Sequence, residues 1–210
     1  MSGNLSTVYL STAYLAPVEY YMQMQCFSVT IIERHCNYIK QTYRNRCVIS
    51  SANGLQTLSI PVEKPETIKC QTKDIRIAAH GNWQHLHWNA IRSAYNSTPF
   101  FEYYEDDFVH FYEKKYDFLF DFNELLREVV LNLLDIQPEI RYSSEYKTVF
   151  LPEEMDLREE IHPKKKFFVK EFKPYYQVFD NRFGFQSNLS IVDLLFNMGP
   201  ESVLYLKNSQ

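Results

Sequence analysis

The densest grouping of chemically capable side chains is the stretch His35–Arg46, which reads HCNYIKQTYRNR. His35, Lys40, Arg44 and Arg46 are interleaved there with Asn37, Tyr38, Gln41, Tyr43 and Asn45. A guanidinium presents a planar fork that matches a carboxylate or phosphate, an ammonium a mobile point charge, and Asn and Tyr directional hydrogen bonds. Histidine is the side chain whose ordinary titration falls near neutrality, so His35 is the candidate proton acceptor. The same composition also suits a solvent-facing strand whose cations balance acidic helices. The residue types alone leave both readings open.

Other groupings carry less chemistry. His80, His85, His87 and His110 form a conceivable metal set, and with a carboxylate they would suggest a metal-dependent hydrolase. Their spacing matches no ligand pattern, and His85 and His87, two apart on a helix, turn to different sides. A structural or surface role is the favoured reading, and no metal is assigned. Glu102, Glu105, Asp106 and Asp107 suit the positive end of a helix dipole. EEMDLREE, followed by Lys164–Lys166, reads as a solvated charged segment, a polyanion site there being the less favoured alternative. With only 5 Gly, the chain has no phosphate-cradling loop, no G-x-S-x-G elbow, no H-E-x-x-H and no G-x-G-x-x-G, so no cofactor can be named.

The elements that must position these groups follow from patterning. A length of 210 residues with 45% hydrophobic content suits one domain with a real core and excludes wholesale disorder. The net charge of -4 argues against a general nucleic-acid binder. Val8–Leu15 and Ser28–His35 read as strands. Pro17 opens a short helix between them, which gives a parallel βαβ unit with the His35–Arg46 stretch at its carboxyl end. CVIS and QTLSIPV flank Asn53-Gly54, a hairpin signal, with Pro61 and Pro65 ending the second strand or confining it to an edge. Lys73–Ala79 alternates like a further strand.

From Asn82, a permissible N-cap, Trp83, Leu86, Ala90 and Tyr95 recur at helical spacing as far as the break at Pro99. Phe101 to Ile136 continues as amphipathic helix, its aromatic and leucine stripes read as core. The region from Arg141 to Val169 reads as a long surface excursion, YYQVFDNRFGF as a strand and turn, and Ser190 to Gly199-Pro200 as a last short helix. The fold class expected is α/β: a small mixed sheet of N-terminal strands, hairpin included, covered by a mainly helical middle. Cys26, Cys36, Cys47 and Cys70 contain no C-x-x-C pair and read as free thiols. Neither a secretory signal nor an apolar run of about 18 residues is visible, so a cytoplasmic protein without a membrane span is expected.

These residues also carry a resemblance. The chain resembles the WbqC-like proteins, a bacterial group often associated with surface-polysaccharide gene clusters. The early Tyr-x-x-Pro pattern with a further Tyr is Tyr14, Pro17 and Tyr20, and the block Tyr-x-Lys-x-x-aromatic-x-Asn-Arg is Tyr38, Lys40, Tyr43, Asn45 and Arg46. TLSIPV, the W-x-x-x-H-W-x-x-I helix start, STPFF and SIVDLLFN extend the likeness over nearly the whole chain as one domain, 1–210. Where the family often has Gln-Pro-Tyr, this chain has Thr12-Ala13-Tyr14 and so lacks the bidentate Gln amide.

The resemblance implies a transferase that places small acyl or aminoacyl groups on a sugar precursor in polysaccharide biosynthesis. The alternative is a non-catalytic ligand-binding or assembly protein of the same pathway. It implies a pocket walled by Tyr14, Pro17 and Tyr20, with Tyr38, Lys40, Asn45 and Arg46 supplying its polar groups. With the reading of the residues themselves, Tyr38, Tyr43, Asn45 and Arg46 are the substrate-binding candidates and His35 and Lys40 the catalytic ones. The expected partner is a small-molecule or sugar-precursor ligand, with no nucleic acid. A strand–loop–helix start is also similar to nucleotidyltransferases with an H-x-G-H helix, but no His lies between Tyr14 and Tyr20 to contact phosphates.

Overall fold

The strand–helix–strand pattern at the N-terminus folds as a parallel pair. In the computed structural model, which describes residues 6–64 and 69–208, β1 (Thr7–Ser11) runs beside β2 (Val29–Glu33), with Tyr9 opposite Ile31. The first five residues and Pro65 lie outside the described residues. Helix α1 (Val18–Cys26) joins the two strands, and Pro17 precedes it in extended conformation, with its fixed φ set for the first turn. Val8, Leu10 and Ile32 are wholly buried, as expected for parallel strands covered on both faces.

Two further strands complete this sheet, one straddling the start of the region expected to be a surface excursion and one inside it. β5 (Glu139–Tyr142) pairs parallel with β2, and β6 (Glu154–Asp156) pairs parallel with β1, giving the order β5-β2-β1-β6. Each is only three or four residues long and holds no fully buried residue, so neither shows the alternation that marks a strand in sequence. The chain builds outward from β1 through β2 to β5 and then returns to the other side of β1. The order therefore reverses between β1 and β6, and the carboxyl ends of those strands form the switch-point crevice where open α/β sheets bind ligands.

The hairpin is present but stands apart as a two-stranded antiparallel ribbon, β3 (Arg46–Ser51) with β4 (Gly54–Ser59). Ala52 and Asn53 make its turn. The positive φ falls on Gly54 alone, at +101°, where the chain re-enters the ladder, so Asn53 is not strained. No strand forms over Lys73–Ala79: Thr72–Asp74 is a 3-10 turn, and Arg76 and Ile77 make only isolated bridges, to Phe118 and Val62.

Helices α2 (Trp83–Tyr95), α3 (Phe101–Glu113) and α4 (Leu119–Leu133) follow as the periodicity indicated, with Phe108, Phe111, Phe122, Leu126 and Val130 buried. Asn82 precedes α2 in left-handed conformation, and its side chain caps nothing. A single helical turn, α5 (Asp180–Phe183), replaces the strand expected in YYQVFDNRFGF. Helix α6 (Ile191–Met198) ends at Gly199, whose φ of +54° and whose packing on the Phe100 ring both exclude a Cβ. Helix α7 (Ser202–Asn208) then packs back on α1. All four cysteines are free, and no described helix is long and apolar enough to cross a membrane.

Candidate functional site: a charged crevice and an edge groove

At the carboxyl ends of β1 and β6 the backbone opens and charged side chains fill the space. Arg44, only 2% exposed, reaches in from the loop after β2. Its Nη2 donates to Ser11 Oγ at 2.8 Å and to Glu159 Oε1 at 2.5 Å. Arg158, 3% exposed, enters from beyond β6 and donates to Glu33 Oε2 at 2.9 Å and to both oxygens of Asp156. Glu33 is fully buried at the end of β2, and its other oxygen accepts from the backbone N–H groups of His35 and Cys36 and from Ser143 Oγ. Every charge here is matched, as burial requires. The hollow left between Ser11, Thr12, Tyr20, Tyr43, Arg44 and Arg158 is about 10 Å³, room for one water at most.

A much larger space begins alongside. A groove of about 700 Å³ runs between α4 and β5, the edge strand of the sheet, and reaches Arg34 just past the end of β2. Phe120, Leu125, Leu131, Ile136 and Ile140 supply an apolar wall. Its charged groups are Arg34 and Arg127 against Asp121, Glu124 and Glu128.

Arg127 Nη1 lies 2.5 Å from Glu124 Oε2, and their side chains are 8% and 11% exposed. Thr12 Oγ1 donates to Glu124 Oε1 at 2.9 Å, so a β1-end hydroxyl joins groove to crevice. Burial pushes the Glu124 carboxyl above its ordinary range, while the Arg127 cation and the Thr12 hydroxyl pull it back. Arg127 Nη2 also donates to Tyr142 Oη at 3.3 Å. A mostly apolar cleft with a few convergent polar groups and a shifted carboxyl is what a small-molecule site offers.

The residues singled out in sequence are distributed between this region and the scaffold. Tyr20 and Tyr43 line the crevice, and Tyr20 Oη donates to the carbonyl of Ser11 at 2.9 Å. Tyr38 is half-buried near Arg44 and Arg46. Its hydroxyl has no partner among the described residues, and burial pushes it up to about 12 against the pull of both cations. His35 sits at the rim, its Nε2 accepting from Arg34 Nε at 3.3 Å.

Tyr14 is fully buried and its hydroxyl bonds His87 Nδ1 at 3.0 Å and Tyr112 Oη at 2.9 Å. Pro17 makes a backbone bridge with Ser190. Asn45 donates to the Ile60 carbonyl at 2.9 Å, and Arg46 begins β3 opposite Ser59. Lys40 is exposed, away from both spaces. The cation of this stretch that enters the crevice is thus Arg44, and Lys40, Asn45 and Arg46 line neither the crevice nor the groove. His85 is exposed against Asn89 and His87 is in the core, and among the described residues no three His, Cys, Asp or Glu converge on a metal position.

Sequence reasoning missed Arg34, Glu124 and Arg127. The available signal was Glu124 and Arg127, three apart within FDFNELLREVVLNLL, where charges interrupt a run otherwise apolar.

The sequence profile of the WbqC-like protein family matches residues 12–159, from the end of β1 to just past β6. The chain is also 24% identical over 204 residues, 84% of its own length and 87% of the relative's, to the uncharacterized protein Rv1507c of Mycobacterium tuberculosis (strain ATCC 25618 / H37Rv). No solved structure matches the chain significantly.

Proposed function

The chain belongs to the WbqC-like protein family, and from that premise we propose that it transfers small acyl or aminoacyl groups to an amino-sugar precursor of surface polysaccharide. The observation that carries this reading is the edge groove with its charge distribution, three carboxylates against two guanidinium groups, one of each already paired. Arg34 suits the anionic part of a sugar precursor, whereas Asp121 and Glu128 draw a cationic amine. The apolar wall, with Tyr142 at its end, suits a sugar face or an acyl chain.

Glu124 is the proposed base. The bound ammonium first gives one proton to solvent, and the Glu124 carboxylate takes the second as the neutral nitrogen attacks the carbonyl carbon of an activated donor such as a thioester. A C–N bond forms, the C–S bond breaks, and the proton passes to the departing thiolate. Tyr20, whose hydroxyl donates to the Ser11 carbonyl, and Tyr43, whose carbonyl accepts from the Tyr14 N–H, hold the backbone on either side of Thr12, which positions this base. His35 keeps Arg34 at the rim. In this scheme Lys40, Asn45 and Arg46 are not catalytic.

A thermal-shift titration with nucleotide-linked amino sugars tests the reading. A ligand at 100 times its Kd stabilises the fold by about 2.7 kcal/mol. The wild type is expected to show that shift, Arg34→Ala to lose it with an unchanged circular dichroism spectrum, and Glu124→Gln to bind but not to transfer. An Arg34→Ala protein that binds as well as wild type overturns the site. A Glu124→Gln protein with full transfer overturns the base. Binding without transfer from any acyl donor makes the chain a ligand-binding protein of the pathway instead.

A further inference from the structure

The Lys-rich segment that begins at Lys164 stays outside the groove and the crevice. Residues 164–173, KKKFFVKEFK, hold five Lys against one acid in a chain whose net charge is -4. Phe167 and Phe168 lie side by side in its middle and are both exposed, at 43% and 39%. Lys165, Lys166, Phe167, Val169 and Lys170 curl around a concavity of about 470 Å³, an apolar floor with an ammonium rim.

The segment is held in this shape by the body of the protein. Glu19, buried in α1, accepts from the backbone N–H of Phe168 at 2.8 Å and of Val169 at 3.4 Å. Lys164 Nζ donates to Gln41 Oε1 at 2.6 Å, which brings the loop against the turn that also carries exposed Lys40. Lys165 pairs with Glu160 at 2.9 Å, whereas among the described residues no bond or ion pair engages the ammonium groups of Lys166 and Lys170. A buried carboxylate thus holds the backbone of a loop whose Val169 and Phe172 pack on the core. The Phe167 ring sits edge-on to Phe172 at 5.7 Å, and Phe167 and Phe168 still face outward within a cationic collar.

We propose that this loop is a contact site for an anionic lipid surface, with Phe167 and Phe168 entering the headgroup region and Lys166 and Lys170 meeting lipid phosphates. Charge complementarity explains the lysines, since basic segments are drawn to anionic leaflets. The adjacent phenyl rings favour a bilayer over a soluble polyanion. Rings exposed to water gain by entering an acyl boundary, and a purely electrostatic partner gives them nothing to enter. Lysines, as point charges, also suit a fluid array of phosphates better than one fixed bidentate partner.

Co-sedimentation of the full chain with vesicles of phosphatidylglycerol and phosphatidylcholine, against vesicles of phosphatidylcholine alone, tests the proposal. Binding is expected only where phosphatidylglycerol is present, and it should weaken in high salt. Each surface lysine contributes about fivefold, so Lys166→Gln with Lys170→Gln should weaken binding at least tenfold. Phe167→Ser with Phe168→Ser keeps the charge and should weaken it comparably, with an unchanged thermal midpoint. No sedimentation with the anionic vesicles, equal binding to phosphatidylcholine alone, or full binding by the Phe variant each overturns the proposal. In the last case heparin competition would mark the loop as a soluble-polyanion site.

Discussion

Asp193 in α6 is wholly enclosed, yet three donors reach it: Tyr175 Oη at 2.6 Å, Tyr95 Oη at 2.9 Å and Gln177 Nε2 at 2.9 Å. Burial raises its carboxyl from the ordinary 3.8 to about 6, against the pull of these donors. Below the unfolded value both states hold the proton. Between about 3.8 and 6 the native state keeps it and the unfolded chain has lost it, so stability declines as pH rises through that window and then levels. The loss amounts to about 3 kcal/mol. Glu19 and Glu124 are raised in the same direction, so the contrast with Asp193→Asn isolates this group. Urea denaturation between about pH 4 and about pH 7 should give a smaller decline for the variant. Parallel curves for the two proteins would exclude this role. At this scale sequence reading was weakest. Asp193 sits in a stretch, SIVDLLFN, that carried the family likeness, but its tyrosine partners lie 98 and 18 residues away along the chain, beyond the reach of any local pattern.

Among the elements, the sheet and the helices were legible to different degrees. Long helices announce themselves because three or four turns of apolar stripe repeat one signal, and α2, α3 and α4 lie where that stripe predicted. β1, α1 and β2 were also legible, from β-branched and aromatic runs on either side of Pro17. β5 and β6 were not. They owe their conformation to pairing with β2 and β1, and their residues EIRY and EMD show no strand pattern alone. Lys73–Ala79 erred in the opposite direction, an alternating segment that found no partner strand. What locks β6 to the end of β2 is the Arg158–Glu33 pair. Arg158→Ala would leave the Glu33 carboxylate buried without its cation and should cost about 3–5 kcal/mol. The urea midpoint at unchanged slope reads this directly. A cost under about 1 kcal/mol would mean that Ser143 and the backbone donors suffice.

Over the whole molecule, the candidate site is a product of topology. The loop from His35 to Arg46 was legible as a chemically dense segment after a strand, and it does deliver Arg44 and Tyr43 to the switch-point crevice. The groove was not legible, because α4, β5 and Arg34 come together only when residues about a hundred apart in sequence pack side by side. The central claim is that ligand enters between α4 and β5 and not at the Lys40 turn. Amide hydrogen exchange of the full chain, with and without a saturating nucleotide-linked amino sugar, tests it most directly. Exchange should slow over Phe120–Asn132 and Glu139–Tyr142 and stay unchanged over Tyr38–Arg46. Protection confined to Tyr38–Arg46, or spread over neither region, would contradict it.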